Sequence, residues 1–242
     1  MIISAAREIR DGINCFVGIG YPSLAVCIAL EIHARDINLI YESGAIGSRP
    51  SYIPRSISDS EIAQTADVIV PMSEIFSNWL QGNRVDLGVL GAAQVDKSGN
   101  INSTVIGKYA TPKVRLPGGG GAPEIVESAK ESFVIVRHSK KSLVEFVDFK
   151  TSVSGIIRDS VGWNSALPGK GVTTVFTDLC ILRMDPLQRE LIVTQVHPDV
   201  DRQEIIDQTG WPVRFLKTAT RTLSPTVEEI KVLRNLHFAS EF

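Results

Sequence analysis

Apolar and polar residues change their spacing several times along the chain, and each change marks an element. Ile2, Ala6 and Ile9 recur at helical spacing up to Asp11, and Gly12 reads as the C-cap. Ile13–Val17 then predicts a strand, Gly18-Ile19-Gly20-Tyr21-Pro22-Ser23 a glycine turn, and Leu24 to Arg35 a second helix. Pro22 suits the first turn of that helix, which leaves its early N–H groups pointing outward. Asn38–Tyr41 is the next strand and stops at Glu42, with Gly44 and Gly47 close behind. A strand, helix and strand in this order predict a right-handed crossover and two parallel strands.

The alternation continues. Strands are predicted over Asp67–Val70, Arg84–Leu90 and Ser132–Arg137, and helices over Glu61–Thr65, from Ser73 to near Gly82, and over Glu124–Lys130. Lys97-Ser98-Gly99-Asn100 is a turn by composition, followed by a β-rich return over Ile101–Ile106. After Ser154, the segment through Gly155, Gly162-Trp163-Asn164 and Gly169-Lys170-Gly171 reads as irregular. Three more strands follow at Thr173–Thr177, Cys180–Met184 and Glu190–Thr194, with Asp185-Pro186 turning a hairpin. Asp201–Gln208 and Pro225–Asn235 predict two last helices, the second with Ser224 as N-cap and Glu228 and Glu229 in its first turn. The pattern predicts an α/β fold: an open, mostly parallel sheet flanked by helices, with β-hairpin additions in the C-terminal half. No repeat or low-complexity linker divides the chain, so residues 1–242 are expected to form a single domain.

Composition removes several classes of function. The net charge is −2 and there is no basic run, so neither nucleic acid nor an anionic membrane is favoured as a partner. No apolar run approaches the roughly 20 residues of a spanning helix, and the N-terminus shows no signal peptide. Cys15, Cys27 and Cys180 are odd in number and lie inside apolar segments, which fits a reducing cytoplasm. His33, His138, His197 and His237 are scattered without ligand spacing, so no metal site is expected.

Glu42 is the chemical question. At the C-terminal lip of a parallel strand, where open α/β sheets bind ligands, it is either a solvated turn carboxylate or a working one. Two kinds of chemistry fit. Gly18-x-Gly20-x-x-Ser23, with an acid about twenty residues on, approaches the dinucleotide fingerprint of an NAD-binding Rossmann module. The third glycine is Ser23, however, and Pro22 sits where the helix should approach the pyrophosphate. The other reading is acyl transfer. A Glu in a water-poor site is competent to attack a thioester, and a glycine-rich loop offers amides to the resulting oxyanion. Pro117-Gly118-Gly119-Gly120-Gly121-Ala122-Pro123 is such a loop, unless it is simply flexible surface. Gln94 could likewise be an ordinary residue holding the turn at Gly99. Arg49, Arg55 and Arg115 could meet a substrate carboxylate or phosphate, or be solvated.

Gly18-Ile-Gly20-Tyr-Pro22, Tyr41-Glu42-Ser43-Gly44, the block from Gly91 through Gln94 and Asn102 to Thr104, and Gly118 to Ala122 occur together and in order. In this combination the chain resembles the family I CoA transferases, and within them the B (beta) subunits of the glutaconate CoA-transferase branch. The resemblance implies a ping-pong transfer of CoA between an acyl-CoA (glutaconyl-CoA-like, or another short or dicarboxylic acyl group) and a carboxylate. The intermediate would be a glutamyl-CoA thioester on Glu42. It implies that Gly118, Gly119, Gly120 and Gly121, with Gln94, Ser43, Gly44 and Gly20, meet the oxyanion, the CoA or the acyl group. It implies no permanently bound cofactor, since coenzyme A arrives with the acyl-CoA substrate. It also implies a separately encoded A (alpha) subunit, paired with this chain in a hetero-oligomer built of αβ units. Ala122 stands where many members carry an aromatic, as in the glutaconate branch, which leaves the acyl preference open. Relatives that lost the Glu are hydrolases or decarboxylases; that alternative, and a non-catalytic partner-binding role, stand beside the transferase reading.

Overall fold

The structure is a computed structural model that describes residues 1–158, 164–166 and 169–239, with side chains described except over 156–168 and 237–242. Its centre is a ten-stranded sheet. In chain order the strands are β1 (Asn14–Val17), β2 (Asn38–Ile40), β3 (Ala45–Ile46), β4 (Val68–Ile69), β5 (Leu87–Gly91), β6 (Glu131–Ile135), β7 (Val172–Phe176), β8 (Cys180–Asp185), β9 (Glu190–Val196) and β10 (Phe215–Arg221). The spatial order is β10-β9-β8-β7-β6-β5-β1-β2-β3-β4. Five neighbouring strands, β7-β6-β5-β1-β2, are all parallel, with Asn14 opposite Asn38 and Cys15 opposite Leu87. Antiparallel additions extend both sides: β3 and β4 beyond β2, β8 and β9 beyond β7.

Helices α1 (Ile2–Glu8), α2 (Tyr21–Ile32), α3 (Ser60–Gln64), α4 (Met72–Glu74), α5 (Ala122–Ser128), α6 (Arg202–Gln208) and α7 (Val227–Ala239) complete the fold, and α4 runs straight into a π-helical stretch, Ile75–Leu80. The two faces of the sheet sort residues by the period of two that a strand imposes. Val17, Leu39, Val89, Phe133, Ile135 and Phe176 pack with α1 and α2 on one face. Phe16, Ile40, Leu90, Val134 and Val175 pack with the π-helical stretch and α5 on the other. Burial on both faces explains why the central strands read as continuous apolar runs.

Several expectations shift. The first helix ends at Glu8, with Ile9 extended as its C-cap, rather than reaching Gly12. Ser224 is not the N-cap of α7: the Glu229 N–H bonds to Thr226 Oγ1 and the Glu229 carboxylate returns to the Thr226 N–H. This reciprocal pair is a capping box, which supplies two orphan donors at once. The Ser224 carbonyl instead accepts from Arg7. Part of the irregular segment after Ser154 is an antiparallel ribbon of Ile156–Arg158 with Asn164–Ala166, while Gly162 and Trp163 lie outside the described residues. The β-rich return at Ile101 continues into an unexpected hairpin, Val105–Lys108 with Thr111–Arg115.

Candidate active site

β2 ends one residue before Tyr41, and Glu42 and Ser43 are the two central residues of the turn that joins it to β3. The Gly44 N–H donates to the Tyr41 carbonyl (3.0 Å) and the Tyr41 N–H to that of Ala45 (2.9 Å). Gly44 sits at φ +106°, and a Cβ there would run into the Val70 carbonyl of the adjoining strand. Only glycine lets the chain turn this tightly against β4. The turn therefore lifts Glu42 clear of the sheet and holds its backbone fixed.

The glycine loop meets it. The Gly121 N–H donates to Glu42 Oε2 at 3.3 Å. Gly118 and Gly120 have φ of +107° and +49°, so the loop backbone takes conformations that glycine adopts freely. A Cβ on Gly120 would stand 3.4 Å from Glu42 Oε2, and one on Gly121 would crowd the Phe76 ring at 3.1 Å. The amides of Gly119 and Gly120 meet no acceptor among the described residues. A 3.3 Å contact lies beyond the usual range for an N–H···O bond, and no ion pair among the described residues involves Glu42. The carboxylate thus has one long contact and no counter-charge among the described residues.

Glu42 and Gly118 to Gly121 line a common cleft of about 240 Å³, whose other walls are Phe16, Val17, Gly18, Ile19, Ile57, Leu90, Gly91, Ser103, Ala122 and Ile125. It opens at the C-terminal ends of β1 and β5. A second cleft of about 370 Å³ adjoins it, sharing Ile19 and Gly91 and lined further by Tyr21, Pro22, Ala92, Ala93, Ile135, Arg137 and Ser142. The remaining site candidates stand apart from the first cleft. Gln94 is buried, its Oε1 accepting from Asn102 Nδ2 (2.7 Å) and the Asp148 N–H (3.0 Å), so it ties two segments together. Ser43 is exposed at the turn tip, and Gly20 is exposed as the N-cap of α2. None of Arg49, Arg55 and Arg115 lines the cleft. The Arg49 side chain donates to the Arg35 carbonyl, and Arg115 lies over the Tyr109 ring. Among the described residues no group of three His, Cys, Asp or Glu could hold a metal ion.

Nothing in the residue pattern points to Phe76, and only an indirect signal points to Ser103. Phe76 arrives through the π-helical stretch, whose extra residue per turn rotates its side chains out of ordinary helical register. Ser103 lies inside the motif block, but its residue type alone says nothing of where it points.

A carboxylate under a single long hydrogen bond, beside a glycine loop with two unused amides in a largely apolar cleft, has the parts of a covalent acyl-transfer site. Residues 1–208 match the family described as coenzyme A transferase, and the chain belongs to that family. It is 50% identical over 98% of its length to the B subunit of the 3-oxoadipate CoA-transferase of Pseudomonas knackmussii, covering 91% of that protein. With the B subunit of the glutaconate CoA-transferase of Acidaminococcus fermentans it shares 29% identity over 96% of the chain and 88% of the relative. The crystal structure of that glutaconate enzyme superposes with a TM-score of 0.86, covering 96% of this chain and 91% of the other. A decarboxylase structure with 22% identity and a TM-score of 0.81 covers 97% of this chain and 92% of its own, and shares the fold alone.

Proposed function

We propose that this chain is the B subunit of a two-chain CoA-transferase that moves CoA between a CoA ester and a 3-oxo dicarboxylate, through a glutamyl-CoA thioester on Glu42. The observation that carries it is the Glu42 carboxylate accepting from the Gly121 N–H, beside the unused amides of Gly119 and Gly120, in a largely apolar cleft. The substrate class follows the 50% identical relative, which acts as a 3-oxoadipate CoA-transferase by its name.

A Glu42 oxygen attacks the thioester carbonyl. The amides of Gly119 and Gly120 take the oxyanion, and the C–S bond breaks to release CoA thiolate and leave an acyl anhydride on Glu42. The thiolate then attacks the Glu42 carbonyl carbon, which frees the first acid as its carboxylate and leaves Glu42 as the CoA thioester. The incoming carboxylate runs the same steps backwards and restores the free carboxylate. No water is consumed, so an apolar cleft favours transfer over hydrolysis.

The edge of the sheet supports a partner chain. Val68 and Ile69 of β4 are 47% and 59% exposed, with Met72 just beyond them, and the N–H of Val70, next after β4, donates to the Gly44 carbonyl of the turn that carries Glu42. An apolar, unpaired edge strand of this kind is usually covered. The relatives named above are B subunits, so an A subunit is the proposed cover.

Isotope exchange tests this reading. With the co-expressed A subunit and no acceptor, the complex is expected to exchange labelled free acid into its own CoA ester. Water-dependent loss of the ester without exchange would make the pair a hydrolase.

A further inference from the structure

Besides Glu42, Ser103 is the one residue with a polar side chain among the described residues that line the cleft. Its Oγ is buried and has no hydrogen-bond partner. The backbone on both sides of it is pinned. The Ser103 N–H donates to Thr151 Oγ1 (2.9 Å), and the Ser103 carbonyl accepts from Gly118 N–H (2.9 Å), where the hairpin ladder passes into the glycine loop. The backbone of Ser103 is therefore fixed beside the glycine loop.

An unmade hydrogen bond on a buried hydroxyl is unfavourable, and folded proteins retain few such groups without a reason. Tyr41, Ser132, Ser152 and Trp211 carry the other unpaired buried polar atoms among the described residues, and none of them lines this cleft. Ser103 differs because its missing partner can be supplied by substrate. The thioester oxygen already has its donors in the loop amides. Along walls of Phe16, Ile57, Leu90 and Ile125, no other described residue of this chain offers an acyl chain on Glu42 a side-chain donor.

We infer that Ser103 is a specificity-determining residue whose hydroxyl donates to the 3-oxo oxygen of the acyl group. This rests on the substrate class proposed above. A site built to hydrogen-bond a polar group discriminates strongly against the analogue that lacks it, because the site's own group is then left unpaired.

The test compares a 3-oxo dicarboxylate with the dicarboxylate of equal length lacking the oxo group, both as CoA acceptors for the assembled complex. Ser103→Ala is expected to lower kcat/KM for the 3-oxo acid by about tenfold to a hundredfold. It should leave the plain acid within about threefold. Ser103→Thr should keep most of the wild-type preference. Ser103→Cys, of similar size but a weak donor, should behave as Ser103→Ala, and it serves if the alanine variant does not assemble. Equal losses on both acids, or a preference that survives Ser103→Ala and Ser103→Cys, would overturn the assignment of Ser103 alone. A wild-type complex that transfers CoA but is indifferent to the oxo group would instead overturn the substrate class, and the Ser103 assignment with it.

Discussion

Two groups of polar residues stand at the C-terminal lip of the same parallel sheet, and they are built to opposite specifications. Around His138, beyond β6 and β7, the ring nitrogens lie 3.0 Å from Thr177 Oγ1 and from Thr209 Oγ1, and the His138 N–H donates to Asp178 Oδ1 (2.7 Å). His197 nearby is equally occupied, by Thr222 Oγ1 and the Thr177 carbonyl, both at 2.8 Å. Around Glu42, beyond β2, one long bond holds the carboxylate, two loop amides are unused and the Ser103 hydroxyl has no partner. Both groups contain residues with chemical potential. The first spends its imidazole nitrogens on the fold, whereas the second leaves two amides and a hydroxyl without a partner among the described residues.

Glu42→Gln breaks the contrast with the largest effect. Transfer activity should fall by at least about a thousandfold, because the nucleophile is gone while the shape remains. The melting temperature should move by less than about 2 °C, since the side chain makes one weak contact.

Gly121→Ala comes next. Its φ is −80°, which alanine adopts freely, so the substitution acts through the added methyl, which would crowd the Phe76 ring at 3.1 Å and touch the Glu42 carboxyl carbon at 3.6 Å. Pushing the loop off Glu42 should cost about tenfold to a hundredfold in kcat. Phe76→Leu in the same chain should restore part of that loss, a coupling that a double-mutant cycle measures.

The smallest effect on turnover belongs to the other group. Burial lowers the His138 pKa to about 4, against the opposing influence of Asp178. The unfolded chain takes up a proton near pH 6.5, where the folded ring stays neutral. Stability is therefore full above that pH and is lost as pH falls from 6.5 towards 4, by up to about 3 kcal/mol. His138→Gln should flatten this part of the stability–pH profile, read by denaturant unfolding, and leave kcat near neutral pH within about twofold.

The parts that punctuation controls are legible in the chain. Glycines mark where β1, β2 and the loop before α5 must turn, and Glu42 stands out because it interrupts an apolar run at one of those marks. β10 is not legible: most of Phe215–Arg221 is exposed, so no apolar period signals it. The π-helical stretch reads as ordinary helix, since a single inserted residue barely alters the apolar spacing, yet it is what brings Phe76 to Gly121. Ser224 looks like a cap by residue type, but Thr226 and Glu229 satisfy each other reciprocally and win. The open hydroxyl of Ser103 depends on what residues 118 and 151 leave unpaired, which a local pattern does not encode.

The most direct measurement is the mass of the peptide that carries Glu42 after the assembled complex has been mixed with acyl-CoA and then borohydride. Reduction of a glutamyl-CoA thioester should convert the Glu42 side chain to the alcohol, in wild type and not in Glu42→Gln. Unmodified Glu42 in a complex that still transfers CoA would contradict the account.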